Sequence, residues 1–139
     1  MQSVASLILR VTFGLTMLIA HGWPKLATFS ERAAKFPDPL GVGSQLSLVL
    51  AVGAEVGCSI LLILGLFTRV ACIPLIITMI VAGFVIHGQD PWGRKELAFV
   101  YLYVYVALLF LGSGAFSAQH YLKHRFQNAP KPLRWILEA

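Results

Sequence analysis

Residues 46–87 read LSLVLAVGAEVGCSILLILGLFTRVACIPLIITMIVAGFVIH, two apolar runs separated by only Thr68-Arg69, with Glu55 the one acidic or basic residue inside either run. Each run is close to the ~20 residues that a helix needs to cross ~30 Å of hydrocarbon. A pair of isolated strands could not satisfy its backbone in lipid, so the stretch reads as a helical hairpin. Working outward, a third run covers about 4–21 and is closed by Gly22 and Pro24, a stop signal for a helix. A fourth covers about 97–116, after Arg94-Lys95-Glu96. Tyr101, Tyr103 and Tyr105 alternate with apolar residues as in a strand, but the unbroken apolar length overrules that pattern. The expected fold is all-α, an integral membrane four-helix bundle with helices at about 4–21, 46–67, 70–87 and 97–116.

Composition agrees. The chain has 139 residues, of which 58% are hydrophobic and 12% charged, with a mean hydropathy of +0.77. These values exclude a water-soluble globule and a disordered chain. Two cysteines, Cys58 and Cys72, are too few for a disulfide-stapled module, and they lack the C-x-x-C redox spacing, so they read as packing thiols. The net charge of +5 does not point to nucleic acid: the basic residues lie between the runs and in the tail 119–139, where they meet lipid headgroups and orient the chain.

Between the first two runs, Leu26, Phe29, Ala33 and Phe36 recur at spacings of three and four, with Lys25, Glu31, Arg32 and Lys35 on the other face. That is the pattern of a short interfacial amphipathic helix, anchored by Trp23 and ended by Pro37-Asp38-Pro39. Four spans put both termini on one side. The basic residues tie between the two sides, and the free amino terminus tips the balance toward termini inside and a basic cytoplasmic tail. The first run lacks a preceding basic residue and a small-x-small site, so a cleaved signal peptide is not expected.

Two ionisable side chains fall within the runs. Arg10 is 11 residues before His21, roughly 16 Å below that helix end at ~1.5 Å per residue. Glu55 is about ten residues into its helix, roughly 15 Å deep by the same rise. Charges in lipid cost at least ~2.5 kcal/mol and need partners, so equal depth on antiparallel neighbours predicts an Arg10–Glu55 ion pair. Arg10, Gly14, Met17 and His21 share one helix face. The face reads equally as a packing seam or as a polar cavity opening outward, with His21, His87 and Glu96 at its mouth above the pair. Those five residues, Arg10, His21, Glu55, His87 and Glu96, are the candidate ligand-binding set. Each terminal His or Glu is also favourable at its helix end without any function. The His and Glu spacing does not support a metal site, and none is expected. His21-Gly22 and His87-Gly88 close two runs alike, a weak internal repeat that coincidence also explains.

The residues Leu9-Arg10 with Gly14, His21-Gly22 with Lys25, Glu55-Val56-Gly57, Leu64-Gly65-Leu66 with Thr68-Arg69, His87, Glu96-Leu97-Ala98 and Gly112-Ser113-Gly114 with Ser117 resemble the DoxX family of small four-helix bacterial membrane proteins. The resemblance spans about 5–118, and it implies a domain at 1–118 in the bacterial cytoplasmic (inner) membrane. Gln119 stands where the family usually has an acid, and Ser113 where Pro is common. The resemblance implies a membrane subunit of a quinone- or thiol-linked redox or oxidative-stress system. It would carry no cofactor in the chain itself, a quinone as bound ligand, a redox partner protein and homo-oligomers; whether the chain is itself an enzyme stays open. A structural scaffold for a partner complex is the alternative. A small proton-coupled exporter is less favoured, because it needs an intramembrane Glu without a cation beside it.

Overall fold

The computed structural model describes residues 1–126, and the rest of the tail, with Lys131 and Arg134, lies outside the described residues. Among the described residues, three helices are long and apolar enough to cross a membrane, α1 (Gln2–Ala27), α3 (Ser44–Leu64) and α4 (Thr68–Ile86). A single turn, α2 (Phe29–Arg32), follows α1. Helix α5 (Trp92–Leu111) has 20 residues but opens with Arg94-Lys95-Glu96, and α6 (Ala118–Phe126) follows. No strand occurs among the described residues. The long helices form a ring in which α1 packs on α3, α3 on α4, α4 on α5 and α5 back on α1. Leu62, Leu75, Tyr105 and Leu108 are fully buried at its centre.

The first helix does not stop at Gly22-Pro24. Proline lacks an N–H, and its ring collides with the carbonyl four residues earlier in a regular helix. Here Leu18–Gly22 widens into a π-turn, with the Trp23 N–H donating to the Leu18 carbonyl, so Pro24 falls within a helix that runs on to Ala27. The expected amphipathic segment is therefore split. Its first part prolongs α1, and α2 is set off by Thr28 at φ −110°, ψ 29°. Glycines end α3 and α5. Helix α3 ends in a Schellman motif: Gly65 sits at φ 69°, Leu66 N–H donates to Leu61 O (2.9 Å) and Gly65 N–H to Leu62 O (3.0 Å). Gly112, at φ 70°, ends α5 at Leu111 rather than near Phe116.

These stops converge on Arg10, which is fully buried. Its Nη1 donates to Leu62 O (2.9 Å) and Ile63 O (3.5 Å), its Nη2 to Phe116 O (2.8 Å), and its Nε to Ser6 Oγ (3.3 Å). Ser6 Oγ in turn donates to Gly112 O (2.6 Å). The expected Arg10–Glu55 pair is corrected: the guanidinium binds the carbonyls at the C-terminal end of α3, where orphan acceptors and the negative end of the helix dipole favour a cation. Gly65 has no room for a Cβ beside that guanidinium and Ser117. Gln119, buried, accepts the Phe67 N–H through Oε1 (2.7 Å), so an amide oxygen fills the acceptor role a carboxylate would have.

Two substitutions test this clasp. Gly65→Ala forces a left-handed residue into the Arg10 site and should cost about 2 kcal/mol or more. Arg10→Lys retains the charge but cannot reach three segments with one planar fork, and should lower the unfolding midpoint in detergent by several degrees. A wild-type midpoint for either variant would contradict the clasp.

Candidate functional site

The same register that seats Arg10 decides what Glu55 meets. Gly14 lies against α3 so closely that a Cβ would come 2.8 Å from Ile63 and 3.2 Å from Ser59 O, and a Cβ on Gly22 would stand 2.8 Å from Glu55 O. Residues 10, 14 and 22 thus face 62, 59 and 55 in descending order. Glu55 is level with the last turns of α1, not with Arg10. The two depths are unequal because α1 does not end at His21 but continues to Ala27, which sets Arg10 deeper than its distance from His21 implies. The buried stripe Ser6, Arg10, Gly14, Met17 also changes phase at the π-turn: the next buried residue is Gly22, and His21 turns aside.

Lys25 fills the position that Arg10 was expected to take. Its Nζ donates to Glu55 Oε2 at 2.6 Å and to His21 O at 3.4 Å. The Glu55 side chain is 6% exposed and that of Lys25 21% exposed. Glu55 itself sits in a second π-segment, Gly53–Cys58. A third, Val81–Ile86, ends in His87, whose N–H donates to Ala82 O (2.9 Å).

Beside the Lys25–Glu55 pair is a cavity of about 410 Å³ between α3 and α4, within the size range of small-molecule sites. Ala51, Ala54, Ile77 and Val81 make its walls mainly apolar, Pro74 and Thr78 lie along it, and His87 and Ile86 border it. Phe36, Pro37, Pro39 and Leu40 roof it from the α2–α3 connection. Of the five candidate ligand-binding residues, Glu55 and His87 line this cavity. Arg10 is bound elsewhere, Glu96 is exposed, and His21 packs edge-on against Tyr101 with ring centres 5.7 Å apart. The sequence shows Lys25 on the polar face of the amphipathic segment and beside His21-Gly22 in the DoxX-like pattern, and its spacing of three and four from Gly22 and His21 is the signal that places it on the same side of α1.

His87 Nδ1 is 2.8 Å from Asp90 Oδ2, and this hydrogen bond, with Arg94 and Lys95 nearby, holds the Asp90 carboxyl below its ordinary value. On the roof, Asp38 accepts from Val42 N–H (2.9 Å), Gly43 N–H (2.8 Å) and Ser47 Oγ–H (2.8 Å). The Ser47 bond and then the backbone N–H groups depress its carboxyl below 3.8. No group of three His, Cys, Asp or Glu side chains suited to a metal occurs among the described residues.

Two measurements follow. Lys25→Met strands a buried carboxylate and should cost about 3 kcal/mol or more. Adding Glu55→Gln should recover much of that, giving strong coupling in a double-mutant cycle, whereas Arg10→Met and Glu55→Gln should add within ~0.5 kcal/mol. Because the folded pKa of Asp38 is depressed, its contribution is present above about pH 4 and is lost as pH falls through the folded value. Asp38→Asn should flatten the acid limb of the unfolding curve, and an unchanged limb would contradict the depressed pKa.

Among the comparisons, the family model described as DoxX matches residues 5–88. No curated protein and no solved structure matches the chain.

Proposed function

The chain belongs to the DoxX family, and from that premise we propose that it is a membrane subunit of a quinone- or thiol-linked redox system that takes a small, lipophilic, quinone-like molecule into the cavity between α3 and α4. The observation that carries this reading is a charge pair placed at the end of an otherwise apolar cavity. Burial of Glu55 costs several kcal/mol that a purely structural bundle of Ala, Gly and Leu need not incur. Lys25 uses Nζ toward Glu55 Oε2 and His21 O, which leaves an N–H for a ligand oxygen, while Glu55 Oε1 is free to accept from a ligand hydroxyl. A one-ring head with carbonyl or hydroxyl groups matches that donor and acceptor, and the apolar walls match its body. Redox chemistry would come from the bound molecule and a partner protein.

In this reading α5 completes four spans, the termini face the cytoplasm, and the protein resides in the bacterial inner membrane, as a homo-oligomer or beside a redox partner. The scaffold alternative draws its support from Arg10, which clasps three segments and does not line the cavity between α3 and α4. The exporter reading remains disfavoured, because Glu55 has a cation beside it in Lys25. Mass spectrometry of lipid-phase molecules that co-purify with the protein tests the proposal. Wild type should retain a discrete quinone-like species, and Glu55→Gln should lose most of it at near-normal expression. Equal retention, or none in wild type, would favour the scaffold.

A further inference from the structure

The roof of the cavity is held in an unusual way. Residues 36–42 belong to no helix, yet they cover the space beside α3 and α4 with Phe36, Pro39 and Leu40. Every hydrogen bond the structure gives to residues 36–42 involves Asp38: Val42 N–H to Oδ1, Gly41 N–H to the Asp38 carbonyl (3.5 Å), and Ser47 Oγ–H to Oδ1 from the first turn of α3, with Gly43 N–H to Oδ2 beside them. The other charged or titratable groups facing the cavity are engaged elsewhere, Lys25 with Glu55 and His87 with Asp90. None competes for the Asp38 carboxylate.

We propose that Asp38 is a positioning residue that latches a hinged roof over one mouth of the partly open cavity, the mouth at the α2–α3 connection, so that passage of water-borne molecules through that mouth requires its bonds to Val42, Gly43 and Ser47 to open. The hinge is supplied by Gly41 at φ +68° and Gly43 at φ +98°. A Cβ at either would meet nothing within 4 Å, so these glycines serve backbone freedom and not packing. Beyond the latch, the roof presents apolar side chains, Phe36, Pro39 and Leu40, to the cavity. The latch is charge-assisted and outside the spans, where water competes with it, so it opens at modest cost. Ser47 is both latch partner and cavity wall, which couples the roof directly to the site.

The inference rests on the cavity described above but not on the identity of its occupant, and its test needs no ligand. Ala51, half-buried on the cavity wall, is replaced by Cys in the full-length protein in detergent, and its reaction with a charged, water-soluble maleimide is timed. Labelling of the parent chain, with Cys58 and Cys72 in place, is subtracted. Opening of the roof limits access, so Asp38→Asn should speed labelling of Ala51→Cys about tenfold, and Ser47→Ala, which removes one bond and leaves the rest, by a few-fold. Hydrogen exchange at Val42 and Gly43 should rise in step. Faster exchange with unchanged labelling in both variants would overturn the proposal, showing a loop anchor that does not gate the cavity. Retention of a ligand by wild type together with that result would sink the latch alone; faster labelling with no retained ligand would sink the occupant alone.

Discussion

A guanidinium in a membrane-spanning helix, away from water and with no carboxylate beside it among the described residues, is the constraint on which the bundle depends. Arg10 meets it with carbonyl oxygens: two from the last turn of α3 and one from Phe116 beyond α5, with the Ser6 hydroxyl completing the set. Backbone acceptors left over at a helix end need donors in any case, and the dipole there favours positive charge. The cost of burying one cation is thus offset by satisfying several groups that would otherwise be orphans. Gly65, the Schellman turn and Gly112 exist around this point because each brings a carbonyl within reach without placing a side chain in the way.

Fixing Arg10 against Leu62 also sets the register of α1 on α3 along their whole length. Gly14 and Gly22 permit close approach at successive levels, and the far end of the register then delivers Lys25 to Glu55. The two intramembrane charges are therefore linked through the register of two helices and not through contact with each other. One serves the assembly of the chain. The other stands beside a cavity and is paired with Lys25.

The helical segments were legible because apolar length is a strong signal in lipid: all four runs correspond to helices, although only three meet the full requirement for crossing. Their ends were less legible. Gly22-Pro24 looks like a stop, and only a widened turn, which leaves no mark in composition, lets α1 pass through it. Gly112 was noticed as part of a motif but not as the point where α5 ends. The partner of Glu55 was misassigned for the same reason, since a depth measured from the wrong helix end places Arg10 beside it. Glu55 and His87 stand in the candidate set by their type and place in the chain, and both line the cavity. Lys25 and the roof residues are not in that set: Lys25 reaches Glu55 only because the π-turn carries α1 through Pro24, and Phe36, Pro39 and Leu40 reach the cavity only by the path of the α2–α3 connection, neither of which periodicity encodes.

The π-turn at Leu18–Gly22 also acts as a phase shifter within α1. Each α-helical residue advances the side-chain direction by about 100°, so one extra residue in a turn re-aims everything beyond it. Before the turn, α1 presents Arg10 and Gly14 to the bundle; after it, Gly22 and then Lys25 take that direction, while His21 is delivered to Tyr101. A chain shortened by a single residue between 18 and 22 would keep its hydrophobicity and its clasp at Arg10. It would nonetheless swing its ammonium away from Glu55, so that one codon stands between the paired carboxylate and a buried one left without its cation.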